Sequence, residues 1–248
     1  MALLASLVLA LPSLAACSTS LARTTAEGGD RWASSVREYA QMVLDAYEQQ
    51  ETEGGKTLLS DFPRSLMERA AAGEKITPAE YERSWSAYRQ CVADRGYVPP
   101  PAYKIGGVYR SDRTEDSSEG TEAQWKRLEE ATDECSMLHI GGVQGVYLNQ
   151  QGNQSLYQDV AMAATDCLRR ANAVEISYTA DRFREERARF DKFLEWRGTS
   201  NPPSVAESNE YFSFDLRDPS VAECLACSGS SLPNDTGAYV IPEWHPFG

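Results

Sequence analysis

Two cysteines two residues apart, Cys224-Leu225-Ala226-Cys227, form the one motif in this chain with a reactive spacing. A C-x-x-C pair runs thiol–disulfide exchange when a helix N-terminus lowers the pKa of its first thiol. Here Asp218-Pro219 sets the expected helix start several residues before Cys224, and neither a βαβ pattern nor the usual Trp/Pro context accompanies the pair. The favoured reading is structural, with one cysteine bridged elsewhere and its neighbour left over. Zinc requires four ligands, and a single such pair assigns no metal site. His139 follows Cys135 by four residues on one helical face, a spacing that could hold a metal, but a capping or surface histidine is the simpler reading. With His245 it completes the histidine inventory, so any Ser-His-Asp or Cys-His site would have to use one of these two. Nothing resembles G-x-S-x-G, a P-loop or H-E-x-x-H. No catalytic, cofactor-binding or metal-binding residue is assigned.

Tryptophans offer a second kind of chemistry. Trp32, Trp85, Trp125 and Trp196 could line a sugar- or peptide-binding groove, although residues at such helical spacing more often belong to a core. Tyr239, Trp244 and Phe247 lack helical context and either pack back on the body or meet a partner.

The elements that must position these residues are helices. Asp30 is a good N-cap for a first helix carrying Trp32, Val36, Tyr39, Val43 and Tyr47 as one stripe, stopped by Gly54-Gly55. A short helix is expected over 63–72. Thr77-Pro78-Ala79-Glu80 is a capping box opening a third helix, which Gly96 and Pro99-Pro100-Pro101 end. Thr121-Glu122-Ala123-Gln124 opens a fourth, broken by Gly141-Gly142 and Gly145. Further helices are expected over 155–172 and 179–197, the latter with a solvated Arg/Glu face, and after Asp218-Pro219. Gly107-Val108-Tyr109 and Gly145-Val146-Tyr147-Leu148 are candidates for a small β-ribbon. The fold class is therefore mainly α: a disulfide-stapled domain of five to seven helices.

Before this body stands an apolar run, Leu3 to Leu14, followed by Ala15-Ala16-Cys17. About a dozen apolar residues are too few to span a bilayer but suit a signal-peptide h-region. Leu14-Ala15-Ala16-Cys17 resembles the lipobox of bacterial lipoproteins. No Lys or Arg precedes the run, a departure from the usual basic n-region. The resemblance implies cleavage after Ala16, lipidation of Cys17 with palmitate-class acyl chains, and anchoring on the extracytoplasmic face of the cell membrane. Two acyl chains supply the two signals that stable anchoring needs. The implied organisation is a signal peptide over 1–16, a flexible linker over 17–29 and a helical domain over 30–227, with possible halves 30–145 and 146–227. A surface tail over 228–248 completes it.

Beyond Cys17 the sequence holds Cys91, Cys135, Cys167, Cys224 and Cys227, an odd set in a compartment where cysteines pair. Tyr81 precedes Cys91 by ten residues as Tyr157 precedes Cys167, and each cysteine is followed by a Glu-Cys helix, at Glu134-Cys135 and Glu223-Cys224. Because consecutive helices usually pack together, bonds Cys91–Cys135 and Cys167–Cys224 are expected, leaving Cys227 as the free thiol. The echo itself suggests two similar halves. The stretch Tyr88-Arg89-Gln90-Cys91-Val92-Ala93-Asp94-Arg95-Gly96-Tyr97 with Glu134-Cys135 resembles a pattern in uncharacterised actinobacterial cell-envelope lipoproteins. It implies an envelope setting and no defined activity.

The net charge of −13 disfavours nucleic acid and anionic headgroups as partners. The expected function is a lipid-anchored envelope module that binds or scaffolds an envelope protein or cell-wall component. Its alternatives are an envelope enzyme, either a thiol–disulfide oxidoreductase or a carboxylate-based hydrolase, and a solute-binding lipoprotein of a transporter.

Overall fold

Capping chemistry sets where the helices begin. In the computed structural model, Thr77 accepts a hydrogen bond from the Glu80 amide while the Glu80 carboxylate accepts one from the Thr77 amide, opening α3 (Pro78–Asp94). Thr121 and Gln124 repeat the arrangement at α4 (Glu122–His139). The structure describes residues 28–111, 114–115, 119–198, 203–230 and 243–247, with the backbone alone at 114–115. The signal peptide, Cys17, most of the linker and Tyr239 lie outside the described residues.

The protein is a mainly α, disulfide-stapled body. The other helices are α1 (Val36–Gly54), α2 (Asp61–Ala71), α5 (Gly141–Gln151), α6 (Val160–Arg170), α7 (Ala180–Arg197), α8 (Val205–Asn209) and α9 (Pro219–Ser228). Nine helices among the described residues exceed the expected five to seven because α5 and α8 were not anticipated. α8 carries its own capping box, Ser204 with Glu207.

α5 corrects the reading of its glycines as breakers. Gly141, Gly142 and Gly145 lie within one turn and a step of each other, where α1 presents its tyrosines. A methyl group on Gly145 would lie 2.9 Å from the Tyr39 hydroxyl, and one on Gly141 would overlap the Tyr47 hydroxyl. The glycines let two helices approach closely, and that contact outweighs a helix propensity cost of about 1 kcal/mol each.

Residues 145–148 are therefore helical, and the expected ribbon partner is different. β1 (Tyr103–Ile105) pairs antiparallel with β2 (Val108–Arg110) around Gly106-Gly107. Both glycines have positive φ, 54° and 92°, as a tight two-residue hairpin turn requires. β3 (Thr114–Glu115) pairs in parallel with β4 (Glu243–Trp244), bringing the chain's end back to the body.

Two helix starts also move. The 28–32 stretch is extended: the Trp32 amide donates to the Leu156 carbonyl (2.9 Å) and the Gln158 amide to the Asp30 carbonyl (2.9 Å). These bonds commit the backbone to a neighbouring segment, so α1 begins later, with Ser35 as N-cap. Asn153 binds the Tyr157 backbone through both ends of its amide (3.0 and 2.9 Å), turning the chain before α6, which Asp159 caps.

The buried apolar residues form two clusters. The first gathers α1 to α5, among them Leu44, Met67, Tyr81, Val92, Cys135 and Val146, and is closed by Ala226 and Cys227 of α9. The second gathers α6 to α9, among them Leu168, Phe183, Phe190, Phe214, Val221 and Leu225. α9 thus contributes one side to each core.

Candidate binding surface

The cysteines settle into the expected arrangement. Cys91 bonds Cys135 and Cys167 bonds Cys224, with Cα atoms 5.7 and 5.4 Å apart. Each bond ties a helix to a later helix of its own core. The C-x-x-C pair is consequently split: Cys224 is bridged to Cys167, and Cys227 is a buried free thiol. It packs so closely on Gly152 that a methyl there would overlap its Cβ. Burial, helped by nearby Glu223, pushes the Cys227 thiol up to about 12, against a smaller opposing effect of Arg170. A thiol held protonated has little nucleophilic character.

His139 is not placed with metal ligands. Cys135 is consumed by its disulfide, and His139 Nδ1 lies 3.2 Å from the Ser60 hydroxyl. Burial, with the Arg95 charge, holds this imidazole below its ordinary range. No group of three metal-capable side chains occurs among the described residues. His245 pairs with Glu119 and stands 3.9 Å from Glu243.

Two buried polar clusters were missed by the sequence reading. Glu186 lies on the apolar stripe of α7 between Phe183 and Phe190 and is only 2% exposed. It accepts from the Tyr178 hydroxyl (2.7 Å), the Ser213 amide (3.1 Å) and hydroxyl, and Arg182 Nε (3.1 Å). Burial and the Glu186 carboxylate raise the Tyr178 phenol. The i, i+3, i+7 spacing of Phe183, Glu186 and Phe190 was a sequence signal that Glu186 belongs inside rather than on the solvated face. In the first core, Gln144 accepts from the Tyr81 hydroxyl and from Trp85 Nε1 (3.0 Å), while the Tyr109 amide donates to the Tyr81 oxygen (3.1 Å). Burial pushes the Tyr81 phenol up to about 12. Both clusters have partners for their charged and hydroxyl groups, and each fixes a loop against a helix.

The four tryptophans do not share one groove. Trp85 is buried in the first core. Trp125 meets Phe247 edge-on at 5.1 Å, and Trp244 is buried with its Nε1 donating to the Val98 carbonyl (2.9 Å). Trp244 and Phe247 thus pack back on the body. Trp32 and Trp196 are exposed, at 51% and 83%.

Trp196 ends a run of stacked rings. It lies 6.4 Å from Phe193 at 29°, and Phe193 lies 4.9 Å from Tyr211 at 23°. The Arg197 guanidinium covers the Phe193 ring at 5.5 Å. Beside Tyr211 runs a groove of about 740 Å³, lined by Phe212, by the cations Arg182, Arg189 and Lys192, and by Glu185 and Glu210. Such a surface offers flat apolar faces next to both hydrogen-bond donors and acceptors. It can take a ligand that alternates apolar faces with polar groups. Tyr211 and Phe212 were not singled out from the sequence, although Tyr211-Phe212-Ser213-Phe214 is an aromatic cluster visible in it. A second groove, about 750 Å³, lies between α4 and β4 and is lined by Trp125, Trp244, Glu122, Glu129 and Asp133.

Comparison of the chain with protein-family models, with curated proteins and with solved structures gave no match.

Proposed function

We propose that this chain is a lipid-anchored, extracytoplasmic envelope protein whose helical body is a binding or scaffolding module for an envelope protein or cell-wall component. The partner surface in this reading is the Trp196–Phe193–Tyr211 stack with its adjoining groove. The observation that carries it is the 83% exposure of a tryptophan whose ring continues a stack rooted in the second core. Large aromatics exposed in this way are costly to a solitary surface and typical of the centre of an interface. The anchor rests on Leu14-Ala15-Ala16-Cys17. Its support is the pair of disulfides, which persist in oxidising compartments.

Photo-crosslinking in intact cells tests the reading. A photoreactive side chain at position 196 should yield a defined adduct, and one at exposed Gln49 of α1 should not. A pattern identical at both positions refutes the surface. For the anchor, Cys17→Ala should move the protein from the membrane fraction to the soluble one; continued retention refutes it.

A further inference from the structure

We infer that the face around Trp32, at the N-terminal end of α6, rests on the lipid surface and sets the orientation of the body on the membrane. This inference rests on the proposed anchoring at Cys17. Eleven residue steps separate Cys17 from Gly28, a reach of at most about 40 Å when fully extended. The tether therefore holds close to the bilayer whichever face it leaves from, and that face is fixed. The Trp32 amide is bonded to the Leu156 carbonyl, and the Gln158 side chain donates to the Arg31 carbonyl (3.1 Å). The Arg31 guanidinium lies 4.8 Å over the Tyr157 ring and donates to the Tyr157 hydroxyl (3.2 Å). Gly29 packs directly on the Met162 thioether, which any side chain there would have to displace. The chain is thus clamped to the body around residues 30–32, so the tether starts from this face.

What this face presents suits an interface. Trp32 is 51% exposed and Val160, in the first turn of α6, 44%. Tryptophan prefers the headgroup level of a bilayer, where its apolar ring and polar N–H are both accommodated. The surrounding charge is mixed, with a small acidic excess. Arg184 bridges Asp159 (2.8 Å) and Asp181 (2.6 Å), and Arg187 holds Asp191 (2.8 Å). Asp30, next to Arg31, and Glu38, in the first turn of α1, add to that excess, so the lipid surface that fits is zwitterionic rather than anionic. Trp196 makes an internal control. It lies twelve residues beyond Arg184 on α7, about 18 Å along the helix from the α6 terminus.

The test uses the full lipidated protein on vesicles of phosphatidylcholine, with and without bromine on the acyl chains near the headgroup, read by tryptophan emission. Flotation first reports anchoring: protein that does not float overturns the anchor and this inference together. With floating protein, brominated lipid should quench the wild type. The quenching should be at least about twofold greater in Trp196→Phe than in Trp32→Phe, since only a ring at the interface is within reach of the bromine. Trp32 is exposed, so its replacement by Phe leaves the fold intact, which circular dichroism verifies. Floating protein whose quenching is unchanged by Trp32→Phe, or absent in the wild type, overturns the orientation while leaving the anchor standing.

Discussion

Removing either disulfide as a pair should cost the protein a large share of a domain's stability. In Cys91→Ala/Cys135→Ala the closed loop of 44 residues is released, and in Cys167→Ala/Cys224→Ala one of 57. The chain-entropy relation gives about 4 kcal/mol for each, because loop length enters only as a logarithm. Replacing both partners avoids a stranded thiol. Cys135 and Cys224 are almost fully buried, so the lost sulfur atoms add to the cost rather than offset it. For a chain of this size, about 2–4 °C of melting temperature accompanies each kcal/mol, so each variant should melt about 8–16 °C lower. Urea unfolding followed by circular dichroism measures the free energy directly, and wild type in reductant should approach the variant lacking both bonds. That variant loses about 8 kcal/mol, within the range of a whole domain's stability, and should not hold its fold at 37 °C. A loss under about 1 kcal/mol for either pair would refute the view that these bonds staple their cores.

Stability should also respond to His139. Burial and the Arg95 charge depress its folded-state pKa, so as pH falls below about 6.5 the unfolded chain takes up a proton before the folded one does. Stability should therefore decline from that pH downward until the folded imidazole also protonates, and His139→Gln should flatten this slope in urea titrations; an unchanged slope would assign it to other groups. Cys227 should resist iodoacetamide at pH 8 in the native Cys17→Ser protein and react fully once unfolded, since burial pushes its thiol up to about 12. Labelling of the native protein at the rate of a free cysteine would return the C-x-x-C pair to consideration as a redox centre.

The Cys91–Cys135 bond was legible because α3 and α4 follow one another and their cysteines lie on inward stripes, and Cys167–Cys224, which joins α6 to the more distant α9, was legible through its echo of the first pair. The capping boxes at Thr77 and Thr121 were legible as local hydrogen bonds written in four consecutive residues. What escaped was set by contacts distant in sequence. Gly141, Gly142 and Gly145 read as helix breakers until Tyr39 and Tyr47 of α1 are placed against them. Asp30 read as an N-cap until the 156–158 backbone claims its neighbours. Glu186 read as surface charge, and only Tyr178 and Ser213, folded over it, make its burial tolerable. The ring stack at Trp196 depends on Tyr211, a residue from beyond the next turn of chain, so no single window of sequence contained it.

The double duty of α9 bears on when the protein can fold. Ala226 and Cys227 close the first core, while Val221 and Leu225 close the second and Cys224 carries its bond. Neither core can be completed until residue 227 has been made. The first two hundred residues must therefore wait with an unfinished interior, although domains generally fold N-terminal part first. This ordering ties the final collapse of both cores, and the second cross-link, to one late helix.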